Sequence, residues 1–456
     1  PIPAANAVNY PNCEINTDGF NTFNLLNSDI VAQILGSSQN PSDFILTYFA
    51  DAALTVAINN PTNYTNTTAF TQPIYVVVTN QATQCSNTAV VTLFVENAPQ
   101  TFPVSSSTSF CDTDGTNDGI TTIDLTQYDS EILGNSTNPD FVVYYYDNLA
   151  TANADMNAGD FSNAIGNPSV YTNSSSPQQT LYAVAVNTAT TSGCPQLTTL
   201  NITIHTLPET SPQDGTVCLD PNTGNVVTPY IIDSGLSSAT HSFVWTDSTG
   251  NVVGNASTYT ATQAGVYTVV ATSLTTNCVS EPQSAIVIES SIATVTYELS
   301  NAFSENQTVT ITATGITIPN QNGANFVYSL DFGPFQTSNV FTNLTPGEHT
   351  VEVRDENGCG SFVFTFTTID YPKYFTPNAD SYNDHWNIIG LGPQHQAKIY
   401  IFDRYGKLLK QISPGSNGWD GNFLGNPLPS TDYWFKVEYL ENNQNKEFKA
   451  HFTLKR

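Results

Sequence analysis

The order of landmarks in the first hundred residues recurs in the second hundred, and this self-similarity restricts the chain to a repeat architecture before any single residue is interpreted. Cys13, Asp18-Gly19-Phe20, Phe23-Asn24-Leu25, Ile34-Leu35-Gly36, Asn40-Pro41, Phe44 and Tyr48 precede Ile74-Tyr75-Val76-Val77-Val78 and Cys85. Cys111, Asp118-Gly119-Ile120, Ile123-Asp124-Leu125, Ile132-Leu133-Gly134, Asn138-Pro139, Phe141 and Tyr145 then precede Leu181-Tyr182-Ala183-Val184-Ala185-Val186 and Cys194. The offset is 98 at the first cysteine, 100 at Asp-Gly, 98 at Ile-Leu-Gly and 109 at the last cysteine, so insertions are expected in loops. Alternation of Tyr75 and Val77 against Ile74, Val76 and Val78, rich in β-branched residues, predicts strand. One short helix interrupts each copy. Leu26, Ile30 and Ile34 recur every fourth residue and stop at Gly36, and Tyr128 and Ile132 stop at Gly134, as a C-terminal glycine cap requires.

At 456 residues the chain holds several domains. The pattern predicts β-sandwich repeats over 1–100 and 101–207, a third module over 208–290, a fourth over 291–369 and a distinct end over 370–456. In the third, Phe243-Val244-Trp245 and Gly265-Val266-Tyr267-Thr268-Val269-Val270 read as strands and resemble an immunoglobulin-like or PKD-like sandwich. Tyr267 suits a tyrosine corner. Cys278 follows it by eleven residues where an antibody domain has two, so antibody topology is not expected. The fourth module carries Tyr328-Ser329-Leu330-Asp331, Pro334-Phe335-Gln336, Val351-Glu352-Val353-Arg354-Asp355 and Asn357-Gly358-Cys359, and resembles the short β-rich tandem repeats of large flavobacterial gliding-motility adhesins. The fold class is therefore all-β: tandem immunoglobulin-like or PKD-like sandwiches ending in a small sandwich.

Charge is distributed unevenly. The formal net charge is −28, yet every lysine lies between Lys373 and Lys455, and the arginines are Arg354, Arg404 and Arg456. From Asp370 onward there are 10 basic and 9 acidic residues, net +1, which leaves −29 for residues 1–369. An acidic body of this kind repels nucleic acid, resists aggregation and collects divalent cations. With 25 Phe and 22 Tyr it has the aromatics a folded chain needs. No apolar run reaches eighteen residues, so no direct membrane span is expected. The opening Pro1-Ile2-Pro3, without a basic or apolar leader, reads as a cut edge.

Cysteines stand at 13, 85, 111, 194, 218, 278 and 359, two near the ends of each of the first three modules. The simplest pairing is within modules: Cys13 with Cys85, Cys111 with Cys194, Cys218 with Cys278. Such loops would each contribute roughly 4 kcal/mol in the chain-entropy model and imply an oxidising compartment. Cys359 is then either a buried free thiol or the partner of a cysteine in chain upstream of Pro1.

Among chemical motifs, Asp112-Thr113-Asp114-Gly115-Thr116-Asn117-Asp118-Gly119 alternates carboxylates with turns, the pattern a hard cation such as calcium takes. Asp112, Asp114 and Asp118 are its candidate ligands. A plain Asp-Gly turn explains the same residues. Gly-x-Ser-x-Gly, His-Glu-x-x-His and phosphate-cradling glycine loops are missing, so no enzyme is expected. Tyr144-Tyr145-Tyr146 offers a sugar-stacking face, although alternation sends at least one ring to the core.

The closing segment carries Phe375-Thr376-Pro377-Asn378, Asp380, Asn383-Asp384 and Trp386, then Ile401-Phe402-Asp403-Arg404-Tyr405-Gly406-Lys407, Gly418-Trp419-Asp420-Gly421, Pro427-Leu428-Pro429-Ser430, Tyr433-Trp434-Phe435 and Phe452-Thr453-Leu454-Lys455-Arg456. In that order these residues resemble the type B C-terminal sorting domain of the type 9 secretion system, the gliding-motility-associated C-terminal domain. The family's Asn-Gly-Asp-Gly stands here as Asn378-Ala379-Asp380-Ser381, and Ala450 replaces a common glycine. Asp380, Asn383 and Asp384 either hold a cation or cap a turn. Ile399 to Phe402 and Leu408-Leu409 read as a hairpin about Tyr405-Gly406. Phe448, Ala450, Phe452 and Leu454 form the inner face of the last strand, and Lys449, His451, Thr453 and Lys455 the outer face, where lysine discourages edge pairing.

The resemblance implies export to the cell surface or beyond, with an outer-membrane translocon and a shuttle barrel as partners. Two functions follow for the body. It is an adhesin-like, non-enzymatic surface protein with an unknown surface or glycan ligand, or it is the accessory stalk or carbohydrate-binding tail of a large secreted polysaccharide-degrading enzyme.

Overall fold

The computed structural model describes residues 2–316 and 324–456; Pro1, where the cut edge was read, lies outside them. Strands dominate, and the described residues fall into two compact units, Pro1–Pro208 with Thr272–Ser280, and Glu209–Ala271 with Glu281–Arg456.

In the first repeat, β1 (Val8–Glu14), β2 (Phe44–Phe49), β3 (Thr71–Asn80) and β4 (Ser86–Asn97) form a sheet in the order β1-β4-β3-β2. Alternate residues of β3 and β4 point inward, so Ile74, Val76, Val78, Val91 and Leu93 meet Phe23, Leu25, Ile30 and Ile34 in one core. Helix α1 (Ser28–Leu35) starts at Asn27, whose side chain accepts from the Asp29 and Ile30 N–H groups, and ends at Gly36 with φ 70°. Leu26 lies just ahead of it, exposed.

The second repeat repeats that order with β5 (Ser109–Cys111), β6 (Phe141–Tyr146), β7 (Gln178–Asn187) and β8 (Gln196–His205). A 3₁₀ turn over Leu125–Tyr128 runs into the one-turn helix α2 (Asp129–Ile132), with Gly134 at φ 63° beyond it. The main insertion relative to the first repeat is not a loop. It is helix α3 (Leu149–Ala158), capped by Asn148 and ended by Gly159, and it covers the sheet face carrying Tyr146, Val184 and Val186. Two faces of this sheet are thereby buried, which explains why β7 reads as a nearly continuous apolar run.

In the second unit, β9 (Gly215–Leu219), β10 (Val226–Thr228), β11 (His241–Thr246), β12 (Val252–Gly254), β13 (Gly265–Ser273) and β14 (Gln283–Ser291) make a six-stranded sheet around the fully buried Trp245. Tyr267 donates its hydroxyl to the Gln263 carbonyl at 3.0 Å, the local hydrogen bond of a tyrosine corner. The fourth module packs β15 (Thr294–Leu299), β16 (Thr308–Thr314) and β18 (Val340–Thr342) against β17 (Phe326–Leu330), β19 (Gly347–Asp355) and β20 (Gly360–Thr368).

The closing module is a five-stranded sheet of β21 (Tyr374–Phe375), β22 (Lys398–Phe402), β23 (Leu408–Ile412), β24 (Thr431–Glu441) and β25 (Gln444–Leu454), in the order β21-β25-β24-β22-β23. Loops carrying Trp386 and Trp419 and a short ladder of Asn422–Phe423 with Asn426–Pro427 face it. Two buried core residues come from the preceding module: Ile369, and Phe303, which stacks on Phe448 at 4.2 Å and meets Tyr439 edge-on.

The cysteine pairing expected from spacing is overturned. Cys13 joins Cys194, Cys111 joins Cys278, Cys218 joins Cys359, and Cys85 is the free thiol. Register gives the reason. Each first-strand cysteine pairs in parallel with the end of its own module's last strand, Cys13 beside Glu96, Cys111 beside His205 and Cys218 beside Ser290. The second cysteine sits in the hairpin tip before that last strand begins. Between Cys85 and Glu96 lies the whole length of β4, about 36 Å at about 3.3 Å per residue, whereas a disulfide spans Cα atoms at most about 7 Å apart.

This topology has a direct readout. Trypsin cuts first at Arg354 and next at Lys373. In denatured, unreduced protein the peptide 355–373 should stay attached to residues 1–354 through Cys218–Cys359, and reduction should release it. Its release without reduction would restore the within-module pairing.

Candidate functional site

Two constructions carry the residues singled out by sequence. The first is the turn after each first-strand cysteine. In the second repeat Asp112 is fully buried, and its Oδ2 accepts from the Gly119 N–H at 2.6 Å. Glu14 occupies the equivalent place in the first repeat and accepts from the Gly19 N–H at 2.7 Å. Both glycines have left-handed φ, 83° and 79°, and a Cβ on Gly119 would lie 1.9 Å from Ser176 Oγ, so no other residue fits. Among the described residues the remaining carboxylate oxygens, Asp112 Oδ1 and Glu14 Oε2, are buried and have no hydrogen-bond partner. Burial first, and the neighbouring Asp18 carboxylate as well, push the Glu14 carboxyl above the ordinary glutamate range.

Asp114 and Asp118 are exposed. Asp114 accepts from the Thr116 N–H and hydroxyl, and Asp118 from the Ile120 N–H, which are turn-capping roles. Behind them lies a polar network that sequence reading passed over. Asn173 accepts from Thr121 N–H and donates to the Gly119 carbonyl, while Asn66 bonds Asn21 and Gly19 in the same way. Gln179 donates to Tyr171 as Gln72 does to Tyr64. Each pair is offset by 107, as Ile74 is from Leu181, so extending the repeat comparison to polar residues finds them.

A clasp accompanies the disulfides. Glu96, beside Cys13, accepts from the Thr191 N–H and hydroxyl at 3.0 and 2.6 Å and from the Ser192 N–H and hydroxyl at 3.2 and 2.5 Å, all on the hairpin tip that carries Cys194. Ser290, beside Cys218, donates to Asp355 on the tip that carries Cys359. Glu96 with Cys13 and Cys194 forms the sole cluster of three metal-type ligands among the described residues, and the disulfide occupies its sulfurs. The tyrosine run offers no open platform. Tyr145 and Tyr146 are buried on opposite faces, and Tyr144 stacks on Phe161 at 5.0 Å.

The second construction is the end of the closing module, where motifs far apart in sequence converge. Phe375, Trp419, Tyr433 and Leu454 are buried against one another around Phe452. Arg456 reaches the Gly421 carbonyl with Nη2 and the Leu428 carbonyl with Nε, and its N–H reaches Ser430 Oγ. A Cβ on Gly421, where φ is 75°, would meet Leu454 at 2.7 Å. Tyr433 donates to the Pro429 carbonyl, and Asp420 accepts from Asn422. On the hairpin, Asp403 accepts from the Tyr405 and Lys407 N–H groups, Gly406 has φ 80°, and Arg404 donates to Thr431. Tyr405 is almost wholly exposed.

Thr376 N–H bonds the Asn383 carbonyl and so closes the loop that follows Pro377. Inside that loop Asp384 takes three main-chain donors, the N–H groups of Asn378, Ala379 and Ser381, and Asp380 takes the Tyr382 N–H. Burial opposes the Asp384 charge, but these bonds together hold its carboxyl below the usual aspartate range. These are turn-capping bonds. Ala379 and Ser381, standing for glycines, adopt φ 63° and 73°, and Asn383 adopts 50°. The glycine geometry is kept with side chains present, at a local cost of about 1 kcal/mol per residue.

These features define a chain of tandem β modules stapled by disulfides. Residues 369–454 match the family described as the CHU_C type IX secretion signal domain. Residues 9–99 and 107–208 each match the Flavobacterium inter-domain disulphide bond domain, in agreement with the staples between modules. The signal directs the protein across the outer membrane to the cell surface or extracellular space. Among the described residues no helix is long and apolar enough to cross a membrane. No curated protein matches the chain.

Among solved structures, the chain is similar to immunoglobulin domains 1–5 of Sidekick-1, at 11% identity over 98% of this chain and 97% of that one, TM-score 0.23. It is also similar to the fibronectin(III)-like modules of Clostridium thermocellum CbhA, at 14% identity over 34% and 90%, TM-score 0.22. Three N-terminal domains of the bacteriophage RB49 outer capsid protein Hoc match at 14% identity over 53% and 95%, TM-score 0.21.

Replacing Ala379 with glycine should stabilise the closing module by about 0.5–1 kcal/mol, read as a raised Tm; an unchanged or lowered Tm would contradict the strain. Burial raises the Glu96 carboxyl, yet its bonds from Ser192 and Thr191 outweigh that and leave it lowered from 4.5. A lowered carboxylate stabilises above its unfolded value and loses this as pH falls through its folded value. In reduced protein the Tm gap between wild type and Glu96→Gln should therefore be widest near neutrality and close below about pH 4.5. A pH-independent gap would discount the charge.

Proposed function

We propose that the chain is the export-competent end of a surface-displayed, non-enzymatic adhesin-like protein, its modules serving as a load-bearing stalk and contact surface. The observation that carries this reading is the overlap of the disulfides. A load across the oxidised body passes from Cys13 through sulfur to Cys194, along the stretch to Cys218, and through sulfur to Cys359. Most of the backbone between Cys13 and Cys359 is thus outside the load path, and modules that open under tension yield little extension, since only the short linking stretch is free to lengthen by about 3.5 Å per residue. Staples closed within modules would leave every linker bearing load. The ligand in this reading is a surface or glycan, and the export partners are the outer-membrane translocon and a shuttle barrel.

Cells exporting the chain should hold to a surface under flow better than cells exporting only residues 291–456, and reducing agent should weaken the hold. Equal retention by both would remove the adhesin reading.

The proposal extends to the turn in the second repeat, with calcium as its cation. Support comes from Asp112 Oδ1, a buried carboxylate oxygen without a donor, which a hard cation would neutralise. Asp114 and Asp118 lie in the same turn and supply further carboxylates. Calcium should raise the Tm of the wild-type chain, chelator should lower it, and Asp112→Asn should respond to neither. Indifference of the wild type to both would leave a plain Asp-Gly turn.

A further inference from the structure

Between the fourth module and the closing module, both in the second compact unit, lies an open cleft of about 720 Å³. Ligand sites occupy about 300–1,000 Å³, so this one is large enough. Its walls are held in place. Phe303 N–H bonds the Ile369 carbonyl, the buried Gln307 side chain donates to the same carbonyl, and the Phe303 ring stacks on Phe448. Glu441, at the end of β24, accepts from the Ala302 N–H at 3.2 Å and from Lys446 at 2.6 Å. A site braced from both modules is formed before a ligand arrives, which lowers the cost of binding.

The lining carries hydrogen-bonding groups that the fold does not use. The side-chain amides of Asn301, Gln394, Asn442 and Asn443 make no hydrogen bond among the described residues. Asn442 and Asn443 form the two-residue turn between β24 and β25, with φ 50° and 58°. That turn needs left-handed residues, and asparagine meets the need with an amide that glycine would lack. His395 accepts the Gly392 N–H at Nδ1, at 2.9 Å, so the neutral ring carries its proton on Nε2, where it is a donor. Tyr297, on β15, adds a ring to the wall. It is 42% exposed although Phe364 stacks on it at 5.0 Å.

Charge and polarity then narrow the ligand. No Lys or Arg lines the cleft, and its acids are Glu298, which is exposed, and Glu441, whose charge Lys446 offsets. A phosphate, sulfate or carboxylate would meet like charge with no cation to receive it. An apolar ligand would leave the amides and the imidazole N–H desolvated and unpaired. A neutral sugar chain satisfies both conditions, because its hydroxyls give and take hydrogen bonds while the C–H face of a pyranose lies flat on an aromatic ring.

We infer that this cleft binds a neutral oligosaccharide, with Tyr297 as the stacking platform and the side chains of Asn301, Gln394, His395, Asn442 and Asn443 as hydrogen-bonding partners. Both strains of the retention experiment export this cleft, so that experiment and the one below read different parts of the chain.

The test titrates the full chain calorimetrically with hexasaccharides of glucose, mannose, xylose and galactose, and with hexagalacturonate as the anionic probe. At least one neutral probe should bind and hexagalacturonate should not. Tyr297→Ala should weaken the neutral probe by about tenfold, the loss of one aromatic contact. Because Tyr297 also packs on Phe364, a second variant spares the core: Asn442→Gly with Asn443→Gly keeps the left-handed turn, removes both amides and should weaken the same probe by about tenfold. Silence of every neutral probe, tighter binding of hexagalacturonate, or wild-type affinity in the double-glycine protein would each overturn the inference.

Discussion

The parallel pairing of each module's first strand with its last is the constraint on which the body depends. An antiparallel hairpin would bring the first-strand cysteine and the tip cysteine to the same end of the sheet. Parallel pairing carries the first-strand cysteine to the far end, beside Glu96, His205 or Ser290, where its own module has no partner for it. Only the next module's tip arrives there. The staple between modules is thus a consequence of strand direction, and the Glu96 and Ser290 clasps align the incoming tip beside the sulfur.

Much of this was legible from residue order. The repeat, the strands about Ile74 and Leu181, the capped helix before Gly36 and the inner face of the last strand follow from periodicity and glycine placement. The pairing of cysteines was not, because loop length is blind to strand direction, and the within-module choice placed sulfurs at opposite ends of a twelve-residue strand. Helix α3 was also hidden. Its sequence, Leu149-Ala-Thr-Ala-Asn-Ala-Asp-Met-Asn-Ala158, carries almost no amphipathic signal, and it is held by burial of Ala152 and by Asp155, which accepts from Tyr146 and Asn163. The buried acid Glu14, the first repeat's counterpart of Asp112, escaped notice because attention to the Asp-Gly pair missed the residue that follows the cysteine.

In the closing module the recognised motif is mostly architecture. Phe375, Trp419, Gly421, Tyr433, Leu454 and Arg456 bind one another across the sheet's end, and substitution at any of them would disturb the fold before it disturbed a contact with another protein. At the surface that motif leaves Asn378, Arg404, Tyr405, Asp420, Trp434 and Arg456 exposed. Phe303 adds a second lesson. Phe303 of the preceding module completes the aromatic core by stacking on Phe448, so that core is not built from residues 370–456 alone.

The overlapping intervals of the three staples have one more consequence. Any single backbone break between Cys13 and Cys359 falls inside at least one closed ring, since Cys111–Cys278 spans the gap between the other two. A body exposed to the hydrolases of a crowded exterior is therefore nicked without being shed, and its far end remains covalently joined to the module that delivered it.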